Sequence, residues 1–170
     1  HQRVKVIHDW IVLRLAYDVG LNRYTAYEAL RTGKAVCQGY ALLAYKMFNA
    51  AGIPARIVEG AVPESDHAWN LVRVGGRWYH LDVTWDDPVP DRGGAVSYDY
   101  YLKTDEEMRK DHTWTREYPR ADTPYEAAVR EAKQTDPARA GFYDSLEGAL
   151  GWKWLRPEHT AATADELRRK

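Results

Sequence analysis

Only one cysteine, Cys37, stands among 170 residues, which excludes an internal disulfide and any zinc site built from several thiolates. Excess charge of either sign is missing too, since 24 Lys and Arg meet 25 Asp and Glu for a net charge of -1. Without a block of five or six like charges, nothing marks a tail for nucleic acid or a membrane surface. No apolar run approaches the ~18–20 residues of a membrane span, and the start lacks the charged, apolar and small-residue regions of a signal peptide. The compartment is left open, with a lean to a secreted or cell-surface site and any targeting segment outside this sequence. His1 stands directly inside a helical pattern, and a fragment or processed product is expected. What is present, 45% hydrophobic and 29% charged residues over 170 positions, is enough to bury one core and too short to need two domains, so one globular domain is expected.

Val4, Ile7, Ile11 and Leu15, with Trp10 on the neighbouring row, recur at helical spacing and predict an amphipathic helix ending near residues 18–20. Thr25 and Glu28 have the spacing of a capping box, opening a short helix to Arg31 that Gly33 stops. Ala41, Leu42, Ala44, Tyr45 and Phe48 predict a largely buried helix over residues 37–51, ended by Gly52 with Pro54 beyond. Strands follow over residues 56–62, 67–74 and 77–85, the last two flanking Gly75-Gly76, a pair suited to a two-residue hairpin turn. Helices followed by antiparallel strands make the fold class α+β. The breaker-rich stretch from Asp86 to Gly94 predicts a surface loop, and residues 98–103 one more strand. Thr104 and Asp136-Pro137 mark two further helix starts, the first leading towards His112 and Trp114. The last 51 residues carry nine basic and nine acidic side chains and the cluster Trp152-Lys153-Trp154, which suits a C-terminal brace.

Cys37 falls at the start of its helix, where unpaired amides favour a thiolate and offer a donor to an oxyanion. A lone cysteine at a helix start is also compatible with a small buried hydrophobe. The hairpin adds an independent argument, because a turn centred on Gly75-Gly76 pairs residue 74 with 77 and 69 with 82. His67, Trp69, Leu71, His80, Asp82 and Thr84 then share one sheet face, with Asp82 a diagonal neighbour of His67 at roughly 7–8 Å between backbones. A histidine held by a carboxylate on one side and meeting a thiol on the other is the arrangement that activates a nucleophile. From register alone, both His67 and His80 qualify as the base. Asn70 lies on the opposite face, which suits a backbone hydrogen bond.

Three blocks carry a resemblance. Lys34-Ala35-Val36-Cys37-Gln38-Gly39-Tyr40-Ala41, His67-Ala68-Trp69-Asn70 and the run from Trp78 through His80, Asp82 and Trp85 to Pro88 resemble, in family order, the signature blocks of bacterial transglutaminase-like domains. Residues 52–56 resemble the family's helix-to-strand connection, and residues 101–105 through His112-Thr113-Trp114 its closing segment. The resemblance covers roughly residues 4 to 115 and implies a papain-like, transglutaminase-like core in which a nucleophile-bearing helix packs on an antiparallel sheet. A catalytic domain over 1–118 with a helical extension over 119–170 packed on it is expected. The family's Cys, His and Asp fall on Cys37, His67 and Asp82, which leaves His80 as a neighbour. Tyr27 or the Gln38 side chain is a candidate oxyanion donor, and Trp69, His80 and Trp85 are candidate cleft residues.

The resemblance implies cysteine-dependent acyl transfer on a polypeptide substrate through a thioester, without cofactor or metal, by a monomer or part of a larger polypeptide. Water as acceptor makes a cysteine peptidase, the favoured expectation, and a primary amine makes a protein-glutamine gamma-glutamyltransferase that crosslinks proteins. A noncatalytic peptide-binding module is the expectation from another class, and a mononuclear site of Cys37, His67, His80 and Asp82 a third, although their spacing matches no metal motif. The loop over residues 86–96 is expected to border the cleft and gate it.

Overall fold

A computed structural model describes residues 1–90 and 94–152. The chain divides into two compact units, residues 1–128 and 129–170. In the first, α1 (Gln2–Arg14) buries Val4, Ile7, His8, Ile11 and Val12, whereas Trp10 is 39% exposed. The helix stops earlier than its apolar spacing suggests because Leu15 turns extended and β1 (Ala16–Tyr17) pairs in parallel with β2 (Lys34–Ala35). Between them lies α2 (Ala26–Thr32), opened by a complete Thr25–Glu28 capping box and closed by Gly33 at φ 70°. Such a cap contributes about 1 kcal/mol.

From β2 the chain passes through Val36 into α3 (Cys37–Ala50), which buries Gly39, Tyr40, Ala41, Leu43, Ala44 and Phe48. Tyr45, expected inside, stands at the exposed edge of this face. The helix packs against β4 (Ser65–Val74), the middle strand of an antiparallel sheet ordered β3 (Ala55–Val62), β4, β5 (Arg77–Leu81). Gly75 and Gly76 turn β4 into β5 with φ of 57° and 81°, positive values at both central positions that favour glycine in a tight hairpin. The register follows, with Val74 opposite Arg77 and Leu71 opposite His80. Asn70 faces the helix, and its amide donates to the carbonyls of Ala41 at 3.0 Å and Arg56 at 3.2 Å. On the other face Val58, Trp69, Leu71, Met108 and Ala121 form a buried cluster against which Trp78, Tyr100, Trp114 and Tyr118 pack.

Two expected strands come out shorter. β5 ends at Leu81 rather than near Trp85, because the Asp82 amide donates to the Tyr100 carbonyl and residues 82–87 coil back, Asp86 N to Asp82 O at 3.1 Å. Residues 98–103 make a single bridge, His80 with Lys103, because Leu102 at φ 52° breaks the extended run. Thr104 caps α4 (Asp105–Met108) with a capping box to Glu107, and Thr113 then bridges to Ala61 on β3. That approach requires Gly60, where a Cβ would lie 2.1 Å from the Thr113 carbonyl oxygen.

α5 (Tyr125–Thr135), which the apolar spacing did not mark, follows. In the second unit Pro137 opens a 3-10 turn (Pro137–Arg139) that leads into α6 (Ala140–Ala149), and Lys133 pairs with Asp144 at 2.6 Å and Glu147 at 3.1 Å. Of the expected brace, Lys153 and Trp154 lie outside the described residues. No helix among the described residues is long and apolar enough to cross a membrane.

Candidate active site

The last residue before α3 is Val36, whose amide donates to the Arg23 carbonyl, so Cys37 occupies the first helical position with an extended residue ahead of it. Its thiol is half-buried. Burial alone would push that thiol up, but a hydrogen bond to the His67 side chain and the amides of Ala68 and Gln38 outweigh it and hold it below the ordinary thiol range. Three donors on one sulfur favour the thiolate.

His67 lies near the start of β4, 7% exposed, and its Nε2 donates to Oδ2 of Asp82 at 2.6 Å. The other ring nitrogen, Nδ1, is thereby left for Cys37. Burial opposes a charge on the ring, yet the hydrogen bonds to Asp82 and Cys37 raise its pKa to about 9. Asp82 is 1% exposed; burial works against its carboxylate, and His112 and His67 together keep it below the usual range. A thiol held down beside an imidazole held up favours a thiolate–imidazolium pair. Asp82 sits one residue beyond β5, so its position comes from the turn after Leu81 rather than from cross-strand pairing. Its Oδ1 accepts the Trp85 amide at 3.2 Å, which fixes the carboxylate plane.

A residue outside the expected constellation joins it. His112 is fully buried, with Nε2 2.9 Å from the same Asp82 Oδ2 and Nδ1 2.6 Å from Oδ1 of Asp111. His67, Asp82 and His112 together place three potential metal ligands within 4.8 Å. Two liganding atoms about 2.0–2.1 Å from a tetrahedral zinc lie roughly 3.3 Å apart, whereas the nitrogen–oxygen separations of 2.6 and 2.9 Å are those of hydrogen bonds. His80, expected beside the cleft and weighed as a base, is fully buried instead. Its Nδ1 accepts from Trp69 Nε1 at 2.9 Å and its Nε2 donates to Asp105 at 2.8 Å, so both nitrogens are committed away from the thiol. Trp69, 1% exposed, lies behind the cleft for the same reason, as part of the buried cluster.

Two cavities meet at the thiol. One, of about 850 Å³, runs past Gln38, Leu42, Ile57, Glu59, Thr113 and Arg116. The other, of about 680 Å³, runs past Tyr17, Val19, Leu21, Trp85, Pro88 and Val89. Tyr24, Val36, Cys37, Asp66 and His67 line both. Tyr24 is held there by the loop after β1, where the Asp18 carboxylate accepts the amides of Asn22 and Arg23 and the Tyr24 hydroxyl donates to the Leu21 carbonyl at 2.7 Å. Tyr27, expected as an oxyanion donor, is 68% exposed on α2 and lines neither cavity. Gln38 is exposed and lines the first, and Trp85 lines the second. Of the loop expected to gate the cleft, Asp87, Pro88 and Val89 line the second cavity, and residues 91–93 lie outside the described residues.

Residues 1–83 match the family model of the Transglutaminase-like superfamily. Kyphoscoliosis peptidase of Homo sapiens is 32% identical over 108 residues and that of Mus musculus 33% identical over 108 residues, each match covering 53% of this chain and 16% of the relative. The chain therefore corresponds to a small part of the curated relatives it matches. Among solved structures, the crystal structure of a TGase is 24% identical with a TM-score of 0.43, covering 48% of this chain and 25% of that one.

Proposed function

We propose, on the premise that residues 1–83 carry a transglutaminase-like superfamily domain, that this chain catalyses acyl transfer from peptide or protein amides through a thioester on Cys37, as a cysteine peptidase. The observation that carries the proposal is the chain of contacts from the Cys37 thiol through His67 to the buried Asp82, opening into cavities on two sides. A cleft open on both flanks of a nucleophile suits an extended polypeptide that crosses it. The name peptidase on the two curated relatives supports the same class of reaction.

In the proposed reaction the Cys37 thiolate attacks the amide carbonyl carbon, and backbone amide at the start of α3, with the Gln38 side chain nearby, meets the developing oxyanion. The His67 imidazolium passes its proton to the leaving amine as the carbon–nitrogen bond breaks. Water, deprotonated by the now neutral His67, then displaces the thiolate and releases the acid. A primary amine in place of water would form a new amide, so crosslinking shares every residue of the machinery and differs only in the acceptor.

Incubation with a proteome-derived peptide mixture, with and without a tagged primary amine, tests the reading by mass spectrometry. New peptide termini that disappear in Cys37→Ala are the expected result. Amine-tagged glutamines without new termini would replace peptidase by gamma-glutamyltransferase, and neither product would return the chain to a noncatalytic binding role.

A further inference from the structure

Asp82 accepts more than its orienting task for His67 requires. Oδ2 receives Nε2 of His67 at 2.6 Å and Nε2 of His112 at 2.9 Å, while Oδ1 receives the Trp85 amide. For both imidazoles to meet one ionised oxygen, both must donate. His112 continues outward, with Nδ1 2.6 Å from Asp111 Oδ1, and Asp111 Oδ2 accepts the Tyr100 hydroxyl at 2.6 Å. His112 thus stands between two carboxylates, with Nε2 on Asp82 and Nδ1 on Asp111. Its ring is clamped edge-on between Trp85 and Trp69, at centroid distances of 4.6 and 4.9 Å, so the donor cannot swing away without disturbing the core.

We infer that His112 is a positioning residue for the Cys37–His67 pair: by donating to the oxygen that holds His67, it fixes the Asp82 carboxylate and takes up part of its charge, and so sets the pH at which His67 gives up its proton. This rests on the acyl-transfer reading of the site and adds to it a control on the base. The charged and titratable groups that face the network are few. Cys37 from α3 faces His67, and Asp66 lines the cleft beside it. Asp86, bonded to His8 of α1 at 3.0 Å, and Tyr100 feel the Asp82 charge across the turn. His80, with Arg109 near it, feels His112 from the far side. None of these bonds Asp82 Oδ2, so the competition for that oxygen is between the two histidines.

The geometry makes a directional claim. With His112 in place, Asp82 divides its negative charge between two donors. Without it, the whole charge faces His67, which then holds its proton to a higher pH. Alkylation of Cys37 by iodoacetate reads this directly, because an anionic reagent is drawn to the imidazolium and slows when that ring loses its proton. In the wild type the rate is expected to fall as pH rises through about 9. In His112→Gln, which removes the ring that bridges Asp82 and Asp111, the falling limb is expected to move up by on the order of one pH unit. Asp111→Asn should move it in the same direction by less, and it carries the test alone if His112→Gln fails to give a cooperative thermal transition. A limb that stays in place in the folded variants, with only the amplitude changed, would reduce His112 to packing and overturn the inference. A limb that moves down would mean that Asp82 has lost its hold on His67, and overturns it equally. A wild type without fast alkylation below the ordinary thiol range would instead defeat the acyl-transfer reading itself.

Discussion

Nε2 of His67 meets Oδ2 of Asp82 at 2.6 Å although Asp82 lies one residue past the end of β5. The carboxylate reaches the ring because the chain coils at residues 82–87, and the cost of burying it is offset by three donors. Asp82→Asn keeps the shape and removes the charge that raises His67. The alkaline limb of Cys37 reactivity is then expected to fall below about 9. Peptide turnover should drop roughly 10³- to 10⁴-fold, read from initial rates against a substrate identified with the wild type.

Gly60 lets the His112–Thr113 segment lie against β3, since a Cβ there would fall 2.1 Å from the Thr113 carbonyl and 2.7 Å from the Trp69 ring. Backbone on one side and a buried indole on the other leave little room to yield. Gly60→Ala should cost about 1–3 kcal/mol of stability and move the falling limb of Cys37 alkylation by iodoacetate upward, because the displaced segment carries a donor to Asp82. A urea midpoint equal to that of the wild type would show that the contact relaxes freely.

His8 on α1 ties the first helix to the turn that presents Asp82. Both of its nitrogens meet carboxylates, Asp86 at 3.0 Å and Asp9 at 2.9 Å, with the His8–Asp86 pair out of contact with water. Removing one partner strands the other, so His8→Ala should lose about 3–5 kcal/mol. His8→Ala combined with Asp86→Asn should lose less than the sum of the two single changes. Additive losses in denaturant titrations would show that the two side chains do not act as a pair.

Much of this framework is legible in the sequence because it rests on local chemistry. The Thr25–Glu28 box, the glycine stop at residue 33 and the Gly75-Gly76 turn each satisfy nearby backbone, and all stand where their residues place them. The hairpin register then carried His67, Trp69, Leu71 and His80 to one face. What escaped depends on contacts distant in sequence. The end of β5 is decided by the Tyr100 carbonyl and the arrest of residues 98–103 by Leu102, neither of which has a periodic signature. His112 stands 30 positions from Asp82 and meets it only because Thr113 docks on β3. Its one signal was membership of the closing segment ending in Trp114. That Tyr27 stands away from the cleft while Tyr24 lines it follows from the loop that Asp18 organises.

The second cavity is walled by apolar groups left facing water, among them Val19 at 79%, Leu21 at 55% and Val89 at 61% exposure. Leu21 holds φ at 53°, a conformation costly for a branched side chain. A substrate side chain that covers this wall should be apolar. Val89→Asp is expected to raise KM for apolar peptides by about tenfold, the equivalent of roughly 1.4 kcal/mol, with kcat little changed. Equal loss for peptides bearing polar and apolar side chains would place the apolar contact elsewhere.

The central claim is that Cys37 is a thiolate paired with His67, and the pH dependence of its alkylation by iodoacetamide, in the wild type and in His67→Ala, tests it most directly, with mass spectrometry identifying the labelled residue. The thiol is held below its ordinary value and the imidazole raised to about 9, so the charged pair is expected below about pH 9. Fast labelling well below pH ~8.5, the value of a free thiol, that moves up towards that value in the variant is the predicted result. Slow labelling that follows a free-thiol curve in both proteins would contradict it, and would leave Cys37 a packed side chain at the floor of a peptide-binding cleft.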